Sequence, residues 1–171
     1  MNIPRLHSSE PMPSAFRGAV MALGNFDGFH LGHQAVAGEA IGQAKAAGKP
    51  AIIATFDPHP VRFFVPDSPH IRLTTLDQRQ RLFGEAGADA MLVFDFDKAM
   101  AATSAEDFVR ELLDRQLGAS GVVTGEDFTF GKGRSGSVAS LRALGETAGI
   151  TATAMGPVTD VQGIISSSRI R

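Results

Sequence analysis

Short, continuous apolar runs alternate along the chain with longer segments of helical periodicity, and this alternation limits the possible folds more than any other feature. Five runs are predicted as strands: AVMAL (19–23), AIIATF (51–56), AMLVFDF (90–96), GVVTG (121–125) and ITATAM (150–155). A sheet with one solvated face would alternate apolar and polar residues, whereas these runs are largely apolar. The pattern therefore predicts an α/β fold, a Rossmann-like doubly wound parallel sheet with helices on both faces.

The segments between these runs are predicted as helices. They span residues 31–49, 73–87, 104–117 and 137–149, and the segment NIPRL near the start reads as a short strand or arm. Thr74 followed three residues later by Asp77 predicts a capping-box start for the second helix. Ser104 is the expected N-cap of the third helix. The inward stripe of the second helix is only partly apolar, since its members are Leu76, Arg79, Gln80 and Phe83.

Length and composition limit the class of protein. The 171 residues suit a single domain spanning 1–171. The formal net charge of −2 gives no global basic field that would attract nucleic acid or a membrane. The absence of cysteine excludes a disulfide framework and thiolate metal sites. No run approaches the roughly 18 apolar residues of a membrane-spanning helix, and the N-terminus lacks the apolar segment of a signal peptide. We therefore expect a cytoplasmic protein without nucleic-acid or membrane partners.

Functional residues are expected after the strands, because open parallel sheets bind ligands outside the carboxyl ends of their strands. The first, second and fourth of the five runs are followed by GNFDGFHLGH, DPHPVRFF and GEDFTFGKGRSGS. Histidine, aspartate, arginine and glycine concentrate in these three places. They are the candidate site.

The stretch GNFDGFHLGHQ (24–34) has the features of a phosphate-binding turn. Gly24 and Gly28 permit a tight turn and close approach of a ligand to the backbone. The helix that follows presents unpaired N–H groups and a positive dipole end. His30 and His33 would project to the same side of that end, which describes a cradle for polyphosphate. Neither a Walker A pattern nor a complete Gly-x-Gly-x-x-Gly occurs here.

Two other interpretations of the histidine pair remain open. The histidines could be surface residues that cap a helix. Alternatively, His30, His33 and Asp27, with Asp57 or His59, could form a catalytic zinc or manganese centre, because a His-x-x-His spacing is common in metal sites.

Four ordered motifs carry a resemblance to a known family. The segment FHLGH resembles the His-x-Gly-His signature of the nucleotidylyltransferase superfamily. With TFDPHP (55–60), GEDFTFGKGRSG (125–136) and ISSSRIR (165–171), the set closely resembles the FMN adenylyltransferase module of bacterial bifunctional riboflavin kinase/FAD synthetase. The resemblance implies that ATP and FMN give FAD and pyrophosphate with Mg²⁺, without a covalent enzyme intermediate.

The resemblance also implies roles for individual residues. His30 and His33 would be catalytic, bonding the ATP phosphates and stabilising charge as pyrophosphate leaves. Ser168 stands where the family usually has threonine, and it keeps the hydroxyl group. No tightly bound protein-ligated metal is expected, since Mg²⁺ would arrive with ATP. The residues implied to bind ATP are Gly24, Asn25, Phe26, Asp27, Ser167, Ser168 and Arg171.

The flavin ring needs apolar walls and a few directed hydrogen bonds. The chain has no tryptophan or tyrosine, so phenylalanine must supply the walls. Phe56 could equally be a core residue at a strand end, whereas the position of Phe130 between polar loop residues favours a ligand contact. Lys132 and Arg134 could equally form a solvated loop. The predicted flavin-binding residues are Phe56, Asp57, Pro58, His59, Asp127, Phe130 and Arg134.

Two other functions stay open beside FMN adenylyl transfer. One is a related nucleotidyltransferase with another phosphorylated acceptor, such as a pantetheine or glycerol phosphate. The other is a non-catalytic flavin- or nucleotide-binding module. In the family a riboflavin kinase domain follows this module. The sequence shown contains no such domain, and the natural polypeptide either continues into one or exists in a short form.

Overall fold

The computed structural model describes residues 3–26, 31–57 and 74–156, with the backbone of 159–160 and 163–164. Within these ranges, one sheet has the strand order β1-β4-β3-β2-β5-β6, and all its neighbouring strands are parallel. The strands are β1 (Arg5–His7), β2 (Val20–Leu23), β3 (Ala51–Asp57), β4 (Ala90–Asp95), β5 (Gly121–Gly125) and β6 (Thr151–Met155). The predicted parallel α/β sheet is confirmed. A short antiparallel pair, β7 (Thr159–Asp160) and β8 (Gly163–Ile164), was not predicted.

Helices occupy the four predicted segments. They are α1 (Leu31–Ala47), α2 (Leu76–Ala86), α4 (Ala105–Asp107), which continues as a π-helix (Phe108–Gln116), and α5 (Val138–Ala148), with the short α3 (Lys98–Ala101) added. Two 3₁₀ turns cover Ser14–Phe16 and Lys132–Arg134. In the described ranges, no helix has the length and apolar character needed to cross a membrane.

The predicted N-caps are confirmed for one helix and corrected for another. Ser104 caps α4, because its Oγ accepts a hydrogen bond from the Asp107 amide at 3.1 Å. The capping box of α2 lies one residue later than predicted. Its members are Thr75 and Gln78, whose side chains and backbone amides exchange hydrogen bonds of 3.1 and 2.7 Å.

The core has two parts, one on each face of the sheet, because successive residues of a buried strand point to opposite faces. On one face Met21 and Leu23 lie among side chains of the π-helix and α5. On the other face Val20 and Ala22 lie among side chains of α1 and α2. The helices on both faces explain why the strands are apolar throughout.

The strand order also places the ligand crevice. After β2 the chain moves outward to β3 and β4, and it later returns to the opposite side of β2 with β5. A parallel sheet opens a crevice at the carboxyl ends of its strands where the direction of winding reverses. That point lies between β2 and β5.

Candidate active site

Three of the predicted motifs begin at neighbouring strand ends. Residues 24–26 follow β2, Asp57 ends β3, and Asp127 and Phe130 follow β5; β3, β2 and β5 are adjacent in the sheet. Other predicted site residues lie outside the described ranges, and their roles stay predictions. These residues are Asp27, His30, Pro58, His59, Ser167, Ser168 and Arg171.

The turn after β2 is tied to the strand beside it by buried and partly buried hydrogen bonds. The Asn25 carbonyl accepts from the Thr55 hydroxyl at 2.5 Å. That hydroxyl accepts from Arg79 Nη1 at 2.8 Å, and Nη1 also lies 3.4 Å from the Asn25 carbonyl oxygen. Thr55 is fully buried and Arg79 is 3% exposed. The first residues of the predicted ATP turn are therefore held by β3 and α2.

Phe26 has an unusual backbone conformation and a buried ring. Its φ of +53° lies in the left-handed region, where non-glycine residues are uncommon. The ring meets His33 edge-on at 5.3 Å and Phe83 at 5.9 Å between centroids. A Cβ on Gly24 would lie 3.2 Å from this ring, so the ring packs against the glycine backbone. The Phe26 side chain thus packs against the backbone of the turn at Gly24. A contact between Phe26 and ATP stays a prediction.

His33 stands in the first turn of α1, which begins at Leu31. The side chain is half-buried, and its edge-to-face contact with Phe26 restrains the imidazole ring. The position combines an imidazole with the N-terminal end of a helix of 17 residues. Both features favour an anionic ligand.

The end of β3 carries one buried and one half-buried candidate. Phe56 is 8% exposed, and its ring stacks on Phe94 with 4.9 Å between centroids. Asp57 is half-buried, and its carbonyl accepts from the Phe96 amide at 3.0 Å. Asp57 is therefore the more exposed of these two residues.

The loop after β5 folds back on itself. Phe130 and Gly136 exchange backbone hydrogen bonds of 3.2 and 2.8 Å. The Phe130 ring is 5% exposed and lies 5.2 Å from the Phe108 ring. Phe128 stacks on it at 5.9 Å and is only half-buried. Phe130 is thus a core residue in this structure, and its assignment to the flavin stays a prediction.

The remaining candidates of this loop lie at the surface. Asp127 and Arg134 are exposed, and Arg134 has a φ of +56°. The backbone of Gly131 packs closely against the first residue of α4, since a Cβ on Gly131 would lie 2.7 Å from the Ala105 nitrogen. The loop is therefore anchored at Gly131 while it presents charged groups outward.

A continuous row of phenylalanine rings joins the second and third motifs. Successive centroids lie 4.9 to 6.2 Å apart along the row. Its two end members are half-buried, whereas the four inner members are buried. In order the row comprises Phe96, Phe56, Phe94, Phe108, Phe130 and Phe128.

Within residues 3–26, 31–57 and 74–156, no group of three or more His, Cys, Asp or Glu side chains could hold a metal ion. The alternative zinc or manganese centre depends on Asp27, His30 and His59, which lie outside these ranges. That alternative therefore stays untested. Of the residues proposed for that centre, the structure describes the positions of His33 and Asp57.

Arg79 was not assigned to the site from the sequence. The available signal was its place on the inward stripe of α2, where a cation is unexpected unless it is paired. The structure shows that this cation faces the ends of β2 and β3.

Comparison with known proteins agrees with the fold and the motifs. The model of the FAD synthetase family matches residues 12–169. The bifunctional riboflavin kinase/FMN adenylyltransferase of Escherichia coli strain K12 is 32% identical over 166 residues, covering 97% of this chain and 52% of the relative. The chain thus spans about half the length of the curated relatives it matches.

Two crystal structures share the fold. One, of a macrolide-efflux protein from Streptococcus pneumoniae, has a TM-score of 0.85 and 26% identity, with 98% of this chain and 56% of that chain covered. The other, of pantoate-beta-alanine ligase from Francisella tularensis, has a TM-score of 0.62 and 13% identity, with 98% of this chain and 72% of that chain covered. At this identity the likeness shows only that the fold is similar. Because the family model covers nearly the whole sequence, this chain belongs to the FAD synthetase family.

Proposed function

We propose that this chain transfers the adenylyl group of ATP to FMN, giving FAD and pyrophosphate. The observation that carries the proposal is the match of the FAD synthetase family over residues 12–169. The geometry supports the proposal. The turn after β2, the end of β3 and the loop after β5 all lie at the carboxyl ends of adjacent strands, next to the point between β2 and β5 where the strand order changes direction.

The reaction requires charge stabilisation more than covalent chemistry. An oxygen of the FMN phosphate attacks the α-phosphorus of ATP, forming a new P–O bond as the bond to the β-phosphate breaks. Pyrophosphate leaves with the electron pair of that bond. The imidazole of His33 and the N-terminal end of α1 would stabilise the ATP phosphates and the leaving group. Catalysis then consists mainly of positioning and electrostatics.

The flavin is proposed to lie against the loop after β5. The half-buried ring of Phe128 is more accessible there than the buried ring of Phe130. Asp127 and Arg134 are exposed in the same loop and could contact the polar ring edge and the FMN phosphate. We therefore propose Phe128 as an apolar wall beside the predicted Phe130, whose buried ring would support it.

Mg²⁺ is proposed to accompany ATP. Proteins commonly bind this ion through one or two carboxylates together with substrate phosphates, rather than in an all-protein cage. Asp57, a half-buried residue at the end of β3, could supply one such carboxylate. When bound, Mg²⁺ would neutralise charge on the phosphate oxygens.

The proposal is tested by incubating the chain with ATP, Mg²⁺ and FMN and following FAD by chromatography. We expect FAD and pyrophosphate in equal amounts, and no FAD when Mg²⁺ or ATP is left out. Phosphopantetheine and glycerol phosphate serve as competing acceptors. A product from either of these instead of FAD would overturn the assignment of FMN, and tight FMN binding without turnover would indicate a binding module.

The wider setting is also a proposal. The relative from Escherichia coli is named as bifunctional and is about twice as long as the matched region. We therefore propose that FMN is supplied by a riboflavin kinase domain in the same natural polypeptide. The absence of cysteine agrees with a cytoplasmic location, where ATP is available.

A further inference from the structure

Arg79 joins three segments of the chain at the candidate site. Its Nη1 donates to the Thr55 hydroxyl at 2.8 Å and to the Asn25 carbonyl at 3.4 Å. Its Nη2 donates to the Thr74 carbonyl at 3.2 Å. The guanidinium therefore connects the end of β2, the end of β3 and the residues before α2.

The hydrogen bonds of Thr55 have a fixed direction. A hydroxyl group has one proton, and here that proton goes to the Asn25 carbonyl at 2.5 Å. The oxygen of Thr55 therefore accepts from Arg79. A charged donor behind a hydroxyl polarises it and strengthens the bond that the hydroxyl donates. The charge of Arg79 thus acts on the turn through Thr55.

The carbonyl held in this way precedes a strained residue. Phe26 follows Asn25 directly and has a φ of +53°. A non-glycine residue stays in this conformation only when its surroundings impose it, and such residues cluster at functional sites. Arg79 and Thr55 restrain the peptide group on one side of Phe26, and the contact with Phe83 restrains its ring. The Phe26 ring in turn contacts His33.

An apolar side chain could occupy this position at a lower free-energy cost of burial than arginine. Burying a guanidinium is unfavourable unless it is well bonded, and apolar replacements of buried ionic groups are often neutral or stabilising. An apolar residue could not, however, bond the Thr55 hydroxyl and the Thr74 carbonyl together. The planar fork of arginine suits this task better than the single ammonium of lysine.

We propose that Arg79 is a positioning residue for ATP: through Thr55 it fixes the turn after β2 and, through Phe26, the imidazole of His33. The inference rests on the proposed function for the identity of the nucleotide. It assigns to Arg79 no contact with ATP or FMN.

The test compares Arg79→Met and Thr55→Val with a matched control. Arg79→Met removes the donors and keeps an unbranched stem, whereas Thr55→Val replaces the hydroxyl group by a methyl group of similar size. Arg81→Met is the control, because Arg81 lies in the same helix and is exposed. Steady-state FAD formation gives KM for each substrate, calorimetric titration gives the affinity for ATP itself, and a thermal melt reports folding.

We expect both variants to raise KM and Kd for ATP by about tenfold, the factor that corresponds to one lost hydrogen bond to a charged group when that bond holds the ATP-binding turn. They should also lower FAD turnover, because the imidazole of His33 loses the restraint that it receives through Phe26. KM for FMN should change by less than about threefold, and Arg81→Met should match the wild type. The double variant should lose about as much as one single variant, because both changes break the same connection. Arg79→Lys should recover part of the ATP affinity.

Several results would overturn the inference. One is a folded Arg79→Met with the wild-type affinity for ATP. Another is an equal loss for ATP and FMN together with a lower melting temperature, which would make Arg79 a structural residue only. If Arg79→Met does not fold, Thr55→Val gives the decision. If the wild type makes no FAD, the proposed function fails, whereas the ATP titrations still decide the role of Arg79.

Discussion

Replacing Phe130 by alanine should reduce the free energy of unfolding much more than it reduces FMN binding. The ring is 5% exposed and lies between Phe108 and Phe128. On a further side it meets Gly136, where an added Cβ would lie 2.6 Å from the ring. A glycine has no side chain that could relax into the space left by the ring. The cavity should therefore remain open.

The size of the effect follows from this geometry. Phenylalanine-to-alanine changes in a core typically cost about 3–5 kcal/mol, and the cost rises with the cavity that remains. We expect the upper half of that range. For a domain of this size each kcal/mol lowers the melting temperature by roughly 2–4 °C. The variant should therefore melt about 8–20 °C below the wild type.

The assay pairs this variant with Phe128→Ala in thermal melts and FMN titrations. Phe128 is half-buried, so its loss should affect the melting temperature less. Phe128→Ala should instead weaken FMN binding by about tenfold, because it removes the aromatic ring that is proposed to stack on the flavin. The magnitude is taken from nucleobases stacked on aromatic side chains, the nearest measured case. The reasoning fails if Phe130→Ala melts like the wild type and loses FMN alone, because that ring would then be the flavin wall.

Three further changes test the site and the fold. His33→Ala should lower FAD turnover on the order of 10²–10³-fold without loss of the fold, because one preorganised donor is removed; equal rates for variant and wild type would exclude it from the reaction. Gly42→Ala should raise the free energy of unfolding in urea by about 0.5–1 kcal/mol, since a Cβ there meets no atom within 4 Å. Its control, Gly136→Ala, should lower that free energy, and a stabilised Gly136→Ala would contradict the packing of Phe130. Ser104→Ala should cost about 1 kcal/mol in the same measurement through loss of the α4 cap, and an unchanged midpoint would show that the cap is dispensable.

The sheet was predictable because a strand covered on both faces leaves a continuous apolar run in the sequence. The order of the strands was not, since the runs do not encode which strands pair. The error at the start of α2 has a similar cause. Thr74 and Thr75 are each followed three residues later by a residue that can complete a capping box, so the local pattern fits both. Arg79 bonds the Thr74 carbonyl and leaves Thr75 as the cap.

The placement of three motifs at the ends of strands was predictable from the sequence, whereas the direction of individual side chains was not. The polar neighbours of Phe130 indicated an exposed loop, but the backbone bonds to Gly136 turn the ring into the core. Arg79 was visible as a polar member of an apolar stripe. Its partners come from β2 and β3, which are distant in sequence, and no local pattern identifies them.

The place of β1 at the sheet edge has a consequence for the order of folding. Arg5 lies in register with Met91 of β4 and bonds Asp77 and Gln80 of α2, all of which the ribosome makes much later. Among the strands that the structure describes, β1 is synthesised first, yet it can join the sheet only after β4 has been made, and it closes a long loop when it joins. An edge strand held on one side also opens most easily. Amide hydrogen exchange of the folded protein should accordingly be faster in β1 than in β2, which has a strand on each side.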